Sequence, residues 1–307
     1  MKKIIYIFCF FIFFEFFCRF VLGLGNPILS RKHPTIEYEF VPNQKVNRFH
    51  RKIKINSYGM RSDEIQEIKD PRKIRVLVYG DSVIYGGSLI SQKNISTELL
   101  KKKKLKNSKL EIANISAGSW GPGNWLSVLK ERGTYNADII ILVISSHDWN
   151  DNPQFNYTGL VEKKPLSAAS ELFTRYLLPK LKKQFIALKN LPSKEAQNGN
   201  KNGLDDLKSF IDLIKQKQIE FVIVQFWDRE EFQSGKPKKG NILIKKVIDE
   251  KNVISLQSIY KFKECSKNHK DLYSDSIHPF TKLGQKCLSE TIFDAMKLTK
   301  FNKIYGT

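Results

Sequence analysis

Cysteine is scarce in this chain, with four among 307 residues, and four do not make a disulfide framework. A buried core must hold the fold, and the length is ample for one full domain with additions. Cys9 and Cys18 fall in an apolar N-terminus, while Cys265 and Cys287 fall in the last third and could pair, with two buried free thiols as the expected state. Acidic residues are also few, 31 against 52 Lys and Arg, for a formal charge of +21. Such an excess draws a protein toward anionic surfaces. The lysines are scattered, however, and no nucleic-acid motif accompanies them, so they read as solvation of helix faces and no nucleic-acid partner is expected. No internal repeat is visible, which sets aside stacked architectures. Tight metal-ligand spacing such as His-x-x-x-His is missing, and neither metal nor other cofactor is expected.

What the chain does have begins with Gly80-Asp81-Ser82, at the end of the apolar, β-branched run from Ile74 to Tyr79. Such a run is a strand of the kind buried in a parallel sheet. A serine at its carboxyl end, followed by Gly86-Gly87, sits where open α/β sheets place their ligands. Nearly two hundred residues later comes Asp275-x-x-His278-Pro279. Serine, histidine and aspartate are the parts of a nucleophile, its base and the residue that orients the base.

With both blocks in view the chain resembles the SGNH/GDSL hydrolase superfamily, over roughly residues 71–298. Val83 stands where the name-giving leucine is usual. The resemblance implies a flavodoxin-like, doubly wound α/β fold with a five-stranded parallel sheet flanked by helices. It also implies a serine-dependent esterase, lipase, deacetylase or acyltransferase in which Ser82, Asp275 and His278 are catalytic. The family's oxyanion hole takes the amide of Ser82 and a glycine amide after the second strand, here Gly118, with Ser119 as the alternative register. Trp120 and Trp125 either line the groove or wedge that loop. In the third block the family's asparagine position holds His147, whose ring N–H can donate as an amide does. Asn150 is the rival donor. Asp81 reads as a residue that stabilises a turn. A rival reading takes His147, Asp148, Asp151, Asp275 and His278 as ligands of a metal phosphoesterase.

From residue 71 onward strand and helix patterns alternate, as in a parallel α/β sheet. Strands are expected at about 74–80, 110–116, 138–145, 219–226 and 252–257, and helices at about 92–104, 123–135, 204–217, 241–250 and 281–298. Thr281 is the expected N-cap of the last helix. An insertion at about 150–203, with an amphipathic stretch from Ser167 to Asn190, is longer than an ordinary connection and reads as a lid or docking element. Residues 25–70 read as an irregular polar stalk or strap. Within them Asn56-x-x-Gly59-x-Arg61 resembles a stretch of exported family members. Gly59 then marks a positive-φ turn, and Arg61 is expected in a structural salt bridge rather than on a substrate anion.

Residues 1–24 are a signal anchor or signal peptide. Lys2 and Lys3 precede a Phe-rich run, and without an Ala-x-Ala site the segment reads as an uncleaved anchor. Glu15 and Arg19 would each cost about 2.5–3.5 kcal/mol at a bilayer centre, but their spacing lets them pair. Lysines before the run keep the N-terminus inside and export the rest. An exported, inner-membrane-anchored esterase has acylated envelope glycans or lipids as its expected substrates. An O-acyltransferase with the same triad, or a non-catalytic glycan-binding component, is the alternative.

Overall fold

The computed structural model describes residues 2–105, 108–151, 153, 155, 160–179, 181 and 203–300. Its chain enters as α1 (Lys2–Phe16), which runs on through a π-helical turn (Phe17–Val21). Together these give a helix over Lys2–Val21 with mean hydropathy 2.2, long and apolar enough to cross a membrane. Glu15 and Arg19 pair on it, Nη2 to Oε1 at 2.6 Å.

Residues 30–55 are not irregular. They form two antiparallel hairpins, β1 (Ser30–His33) with β2 (Glu37–Phe40), and β3 (Gln44–Arg48) with β4 (Arg51–Ile55). The second was hidden from the sequence for two physical reasons. Its turn uses Phe49 and His50 at positive φ, 48° and 61°, where glycine or asparagine would have signalled a hairpin. One of its inward positions is Arg48, fully buried because Glu171 meets its charge at 2.6 Å. Ile28, Ile36, Tyr38, Phe40, Ile53 and Ile55 join the main core, so this strap is part of the globule.

Behind the strap stand the five parallel strands β5 (Lys73–Gly80), β7 (Ser108–Ser116), β8 (Ile139–Ser145), β9 (Glu220–Phe226) and β10 (Ile254–Gln257). A two-residue antiparallel edge, β6 (Lys104–Leu105), completes the order β10-β9-β8-β5-β7-β6. Each expected strand starts and ends within two residues of the observed one. Side chains alternate between two cores, as a pleated strand buried on both faces requires. Leu77, Tyr79, Ile140 and Leu142 point to one core, and Val76, Val78, Ile139 and Ile141 to the other. On the first face pack α4 (Pro122–Arg132), α6 (Gly203–Gln216) and α8 (Lys239–Glu250); on the second pack α3 (Ser96–Leu100), α9 (Ser258–Cys265) and α11 (Lys282–Lys297). The parallel connections reverse direction at β5, between β7 and β8, and such a switch point opens a crevice at the strand ends.

Two expectations need correction. The helix expected over 92–104 is a 3₁₀ turn (Gln92–Asn94) and the short α3, because Ile95 is extended, with ψ 151°, and breaks the winding. Cys265 and Cys287 are not free thiols: they are disulfide-bonded, with Cα atoms 6.3 Å apart. The bond ties the end of α9 to α11, and sequence spacing carries no information on how two helices approach. The polar, Gly/Asn-rich end of the expected insertion, Ser193–Gly203, lies outside the described residues except for Gly203.

Candidate active site

Gly80 ends β5 and Asp81 caps the single turn of α2 (Ser82–Tyr85), its Oδ1 accepting the Val83 N–H at 2.8 Å. A Cβ at Gly80 would lie 2.6 Å from Ile84 Cγ1, so only glycine permits this tight strand-to-helix turn. The Gly80 carbonyl accepts from Trp125 Nε1 at 3.0 Å. Trp120 and Trp125 are both buried; Trp125 braces the turn through that bond, and Trp120 packs edge-on against Tyr38, ring centroids 6.2 Å apart.

The Asp275–His278 loop comes over the strand ends, between α10 (His269–Leu272) and α11. Ser82 Oγ lies 2.8 Å from His278 Nε2, and His278 Nδ1 lies 2.8 Å from Asp275 Oδ2. Asp275 Oδ1 also accepts the backbone N–H groups of Ile277 and His278, each at 2.8 Å. Partial burial pushes this carboxyl up, but those amide bonds and the imidazole outweigh it and hold it below the ordinary carboxylate range. It therefore stays charged near neutrality and fixes Nδ1 as the protonated nitrogen, which leaves Nε2 free to take a proton from Ser82. Phe280 stacks on His278, ring centroids 4.5 Å apart. Thr281 caps α11 as expected, its Oγ1 accepting the Gly284 N–H at 2.8 Å.

The loop after β7 brings Gly118 to a cavity of about 230 Å³ that Tyr85 and Ser88 also line. Tyr38 OH donates to the Gly118 carbonyl, which fixes that peptide from the strap side. Ser119, the other register, sits at φ 58°, exposed.

His147 follows β8, as the block alignment expects, and its Nε2 faces inward, 3.0 Å from Asp81 Oδ2 and 3.4 Å from Asp148 Oδ1. Burial pulls its pKa down, but Asp148 and Asp81 overcome this and raise it to about 10. The imidazole is thus a cation at neutral pH. The other ring proton of the imidazolium is on Nδ1. One cation cannot balance both acids. Asp148, fully buried beside the Asp81 charge, is driven well above the usual range, though His147 and the Ser145 N–H oppose the shift. Asp151 is pushed up to about 6, by burial first and then by Asp81 and Glu37, against His147. Asn150 lies half-buried in the 3₁₀ turn that follows (Asp148–Asn150).

Of the five residues in the metal reading, His147 and Asp148 come together with Asp81, their ligand atoms within 4.8 Å of one another. Asp275 and His278 belong to the serine line instead. A metal bound there would have to displace the His147 proton. The pairing of Asp81 with His147 was not foreseen. A charged residue one place before Ser82 was the available signal, and its turn-capping role accounts for only one of its two oxygens.

Arg61 corrects another expectation. Among the described residues it has no salt-bridge partner, and it is turned toward backbone. Fully buried, it donates to the carbonyls of Tyr85 at 2.7 Å, of Gly87 at 2.5 Å and of Ile90 at 2.6 Å, and to Gln92 Oε1 at 3.3 Å. It clamps the loop that leaves the nucleophile turn. Burial lowers its pKa to about 10, against smaller opposing effects of Tyr85 and Glu98. Gly59, by contrast, has the positive φ expected of it, 76°. Arg61→Met should leave several buried carbonyls unpaired at about 1–3 kcal/mol each. A drop of at least about 3 kcal/mol in urea unfolding of the full chain in detergent is expected, and a drop below about 1 kcal/mol would deny the clamp.

Strand order and site together define a doubly wound α/β protein with a serine–histidine–aspartate line at the switch point. No family model matches the chain. No curated protein matches it either. Solved structures do. A lipase/acylhydrolase from Enterococcus faecalis is 12% identical with a TM-score of 0.45, over 76% of this chain and 96% of its own. A psychrotrophic esterase from Pseudoalteromonas sp. is 12% identical with a TM-score of 0.44, over 73% and 96%. A lipolytic protein of the G-D-S-L family from Desulfitobacterium hafniense, described as putative, is 13% identical with a TM-score of 0.42, over 73% and 99%. At such identities and scores the likeness assigns no activity to this chain.

Proposed function

We propose that this chain is an SGNH/GDSL-type serine hydrolase that cleaves a carboxylic ester through an acyl-enzyme. The observation that carries the reading is the continuous line from Ser82 Oγ through His278 to Asp275, at 2.8 Å for each step. Ser82 attacks the ester carbonyl as His278 Nε2 takes its proton, and Asp275 stabilises the imidazolium that forms. The amides of Ser82 and Gly118 and the Nδ1–H of His147 receive the negative charge on the tetrahedral oxygen. His278 then protonates the leaving alcohol. Water repeats the sequence on the acyl-enzyme, releasing the acid and restoring Ser82 Oγ–H. Supporting the address are the apolar Lys2–Val21 helix behind two lysines and the Cys265–Cys287 disulfide, a bond suited to an oxidising compartment. The protein is then anchored in the inner membrane with its domain outside, and its substrates are O-acyl groups of envelope lipids or glycans.

Topology is tested by expressing the full chain and fractionating cells. It should stay with membranes through carbonate extraction and lose its C-terminal domain to protease added outside the inner membrane. A soluble exported product beginning near residue 24 would contradict the anchor, and a cytosolic product would contradict export.

A further inference from the structure

The cavity of about 230 Å³ that Gly118 borders is walled on its far side by Arg48, Arg175 and Tyr176. Both arginines share one carboxylate: Glu171 Oε1 lies 2.6 Å from Arg48 Nη2 and 3.7 Å from Arg175 Nη1. Glu171 Oε2 meanwhile accepts the Gly25 N–H at 2.6 Å. Arg48 is buried and also donates to Tyr176 OH at 2.9 Å. One positive charge therefore remains over, and the partly exposed Arg175 is placed to present it to a ligand.

The same wall is joined to the apolar N-terminal helix. Both Glu15 carboxylate oxygens cap α5 (Ala168–Glu171), accepting the N–H groups of Ala168 and Ala169 at 2.9 Å. Cys18, Leu24 and Ala168 are buried together, with Leu172 and Tyr176 packed on them. Pro27 and Ile28, only a few residues past the helix end at Val21, line the cavity itself. From α5 onward Phe173, Leu177 and Leu181 recur every fourth residue and are exposed, 53%, 44% and 55%. An apolar helical stripe beside an apolar helix of spanning length suits the boundary between headgroups and acyl chains. That placement sets the cavity mouth at headgroup level, where a surplus guanidinium meets phosphate.

We propose that this cavity takes the phosphate-bearing headgroup of an anionic membrane lipid, with Arg175 as its cation, so that the ester reaching Ser82 belongs to a membrane-embedded amphiphile. The inference rests on the serine-hydrolase and anchor readings above and names the substrate class of that site.

The test uses the full-length chain carrying Ser82→Ala in bilayer discs, read by amide hydrogen exchange over residues 160–179. Discs of phosphatidylcholine are compared with discs that also contain phosphatidylglycerol. Exchange in this segment should slow by about fivefold in the anionic discs, the effect of one cation near such a surface. Arg175→Ala should remove the slowing and Arg175→Lys retain most of it. Lys245→Ala, on the exposed side of α8, should behave like its parent. Equal exchange in the two bilayers would overturn the proposal. So would a loss with Lys245→Ala that matches Arg175→Ala, since the attraction would then be diffuse. Equal slowing by inorganic phosphate added to phosphatidylcholine discs would overturn it too, because the lipid would not be the ligand. The chain used cannot turn over, so a failed serine mechanism leaves this readout intact and shows instead as absent ester hydrolysis by the Ser82 protein.

Discussion

Ser82→Ala should abolish hydrolysis of a short-chain activated ester, lowering kcat by at least about 10⁴ while leaving the protein folded. Loss of a triad member leaves only the catalysis of the oxyanion hole and of binding. The fold should survive because Asp81, not Ser82, caps α2, and alanine is the best helix former. Among the described residues, the one side-chain bond lost is the one to His278. A chelator should leave the unmutated protein's rate unchanged. Undiminished turnover by a folded Ser82→Ala protein would sink the serine mechanism and return attention to Asp81, His147 and Asp148 as metal ligands.

His147→Ala should carry the second largest effect. If Nδ1–H completes the oxyanion hole, it acts as charge develops on the substrate oxygen and contributes little to ground-state binding. Loss of one such donor costs on the order of 10²–10³ in kcat, with KM little changed. His147→Asn should recover part of the rate, since it restores a neutral donor. It should not recover stability, because Asp81 and Asp148 keep their burial and lose their cation. Asn150→Ala should be mild; were it the crippling change and His147→Ala the tolerated one, the third-block assignment would pass to Asn150. The pH dependence follows from the same carboxylates. They raise the folded pKa of His147 from 6.5 to about 10. A raised folded value means the protonated form is favoured by folding. The stabilisation is thus complete below about 6.5 and is lost as pH rises through about 10. Activity should fall over the same alkaline limb, and His147→Asn should flatten that limb.

The parallel sheet was legible because its strands carry their own signal. Runs such as Ile139 to Ile144 are continuously apolar, and a strand buried on both faces must be so. Ser82, Asp275 and His278 were legible as short blocks, since each sits on a local turn whose geometry its neighbours dictate. Asp275 is positioned by amides only two and three residues away. Contacts made across long sequence separations were not legible. Arg48 meets Glu171 across 123 residues, and neither residue type announces burial. His147 could be aligned to the third block, but its cationic state depends on Asp81, a strand away. Arg61 had two foreseeable partners, a carboxylate or a substrate. It chose backbone carbonyls of the 85–90 loop, which no side-chain pattern encodes. The strap's hairpins failed to show for a related reason: their inward positions include charge, and one turn lacks the usual residues.

The central claim is that Ser82 is an activated nucleophile, and a fluorophosphonate probe tests it most directly. Incubated with the full-length chain in detergent and read by intact mass and peptide mapping, the probe should form one adduct, on Ser82. Ser82→Ala should abolish the adduct, and His278→Ala should slow its formation on the order of 10³-fold or more, because the hydroxyl loses its base. A folded chain that remains unlabelled, or one that is labelled at another residue while Ser82 stays free, would contradict the account.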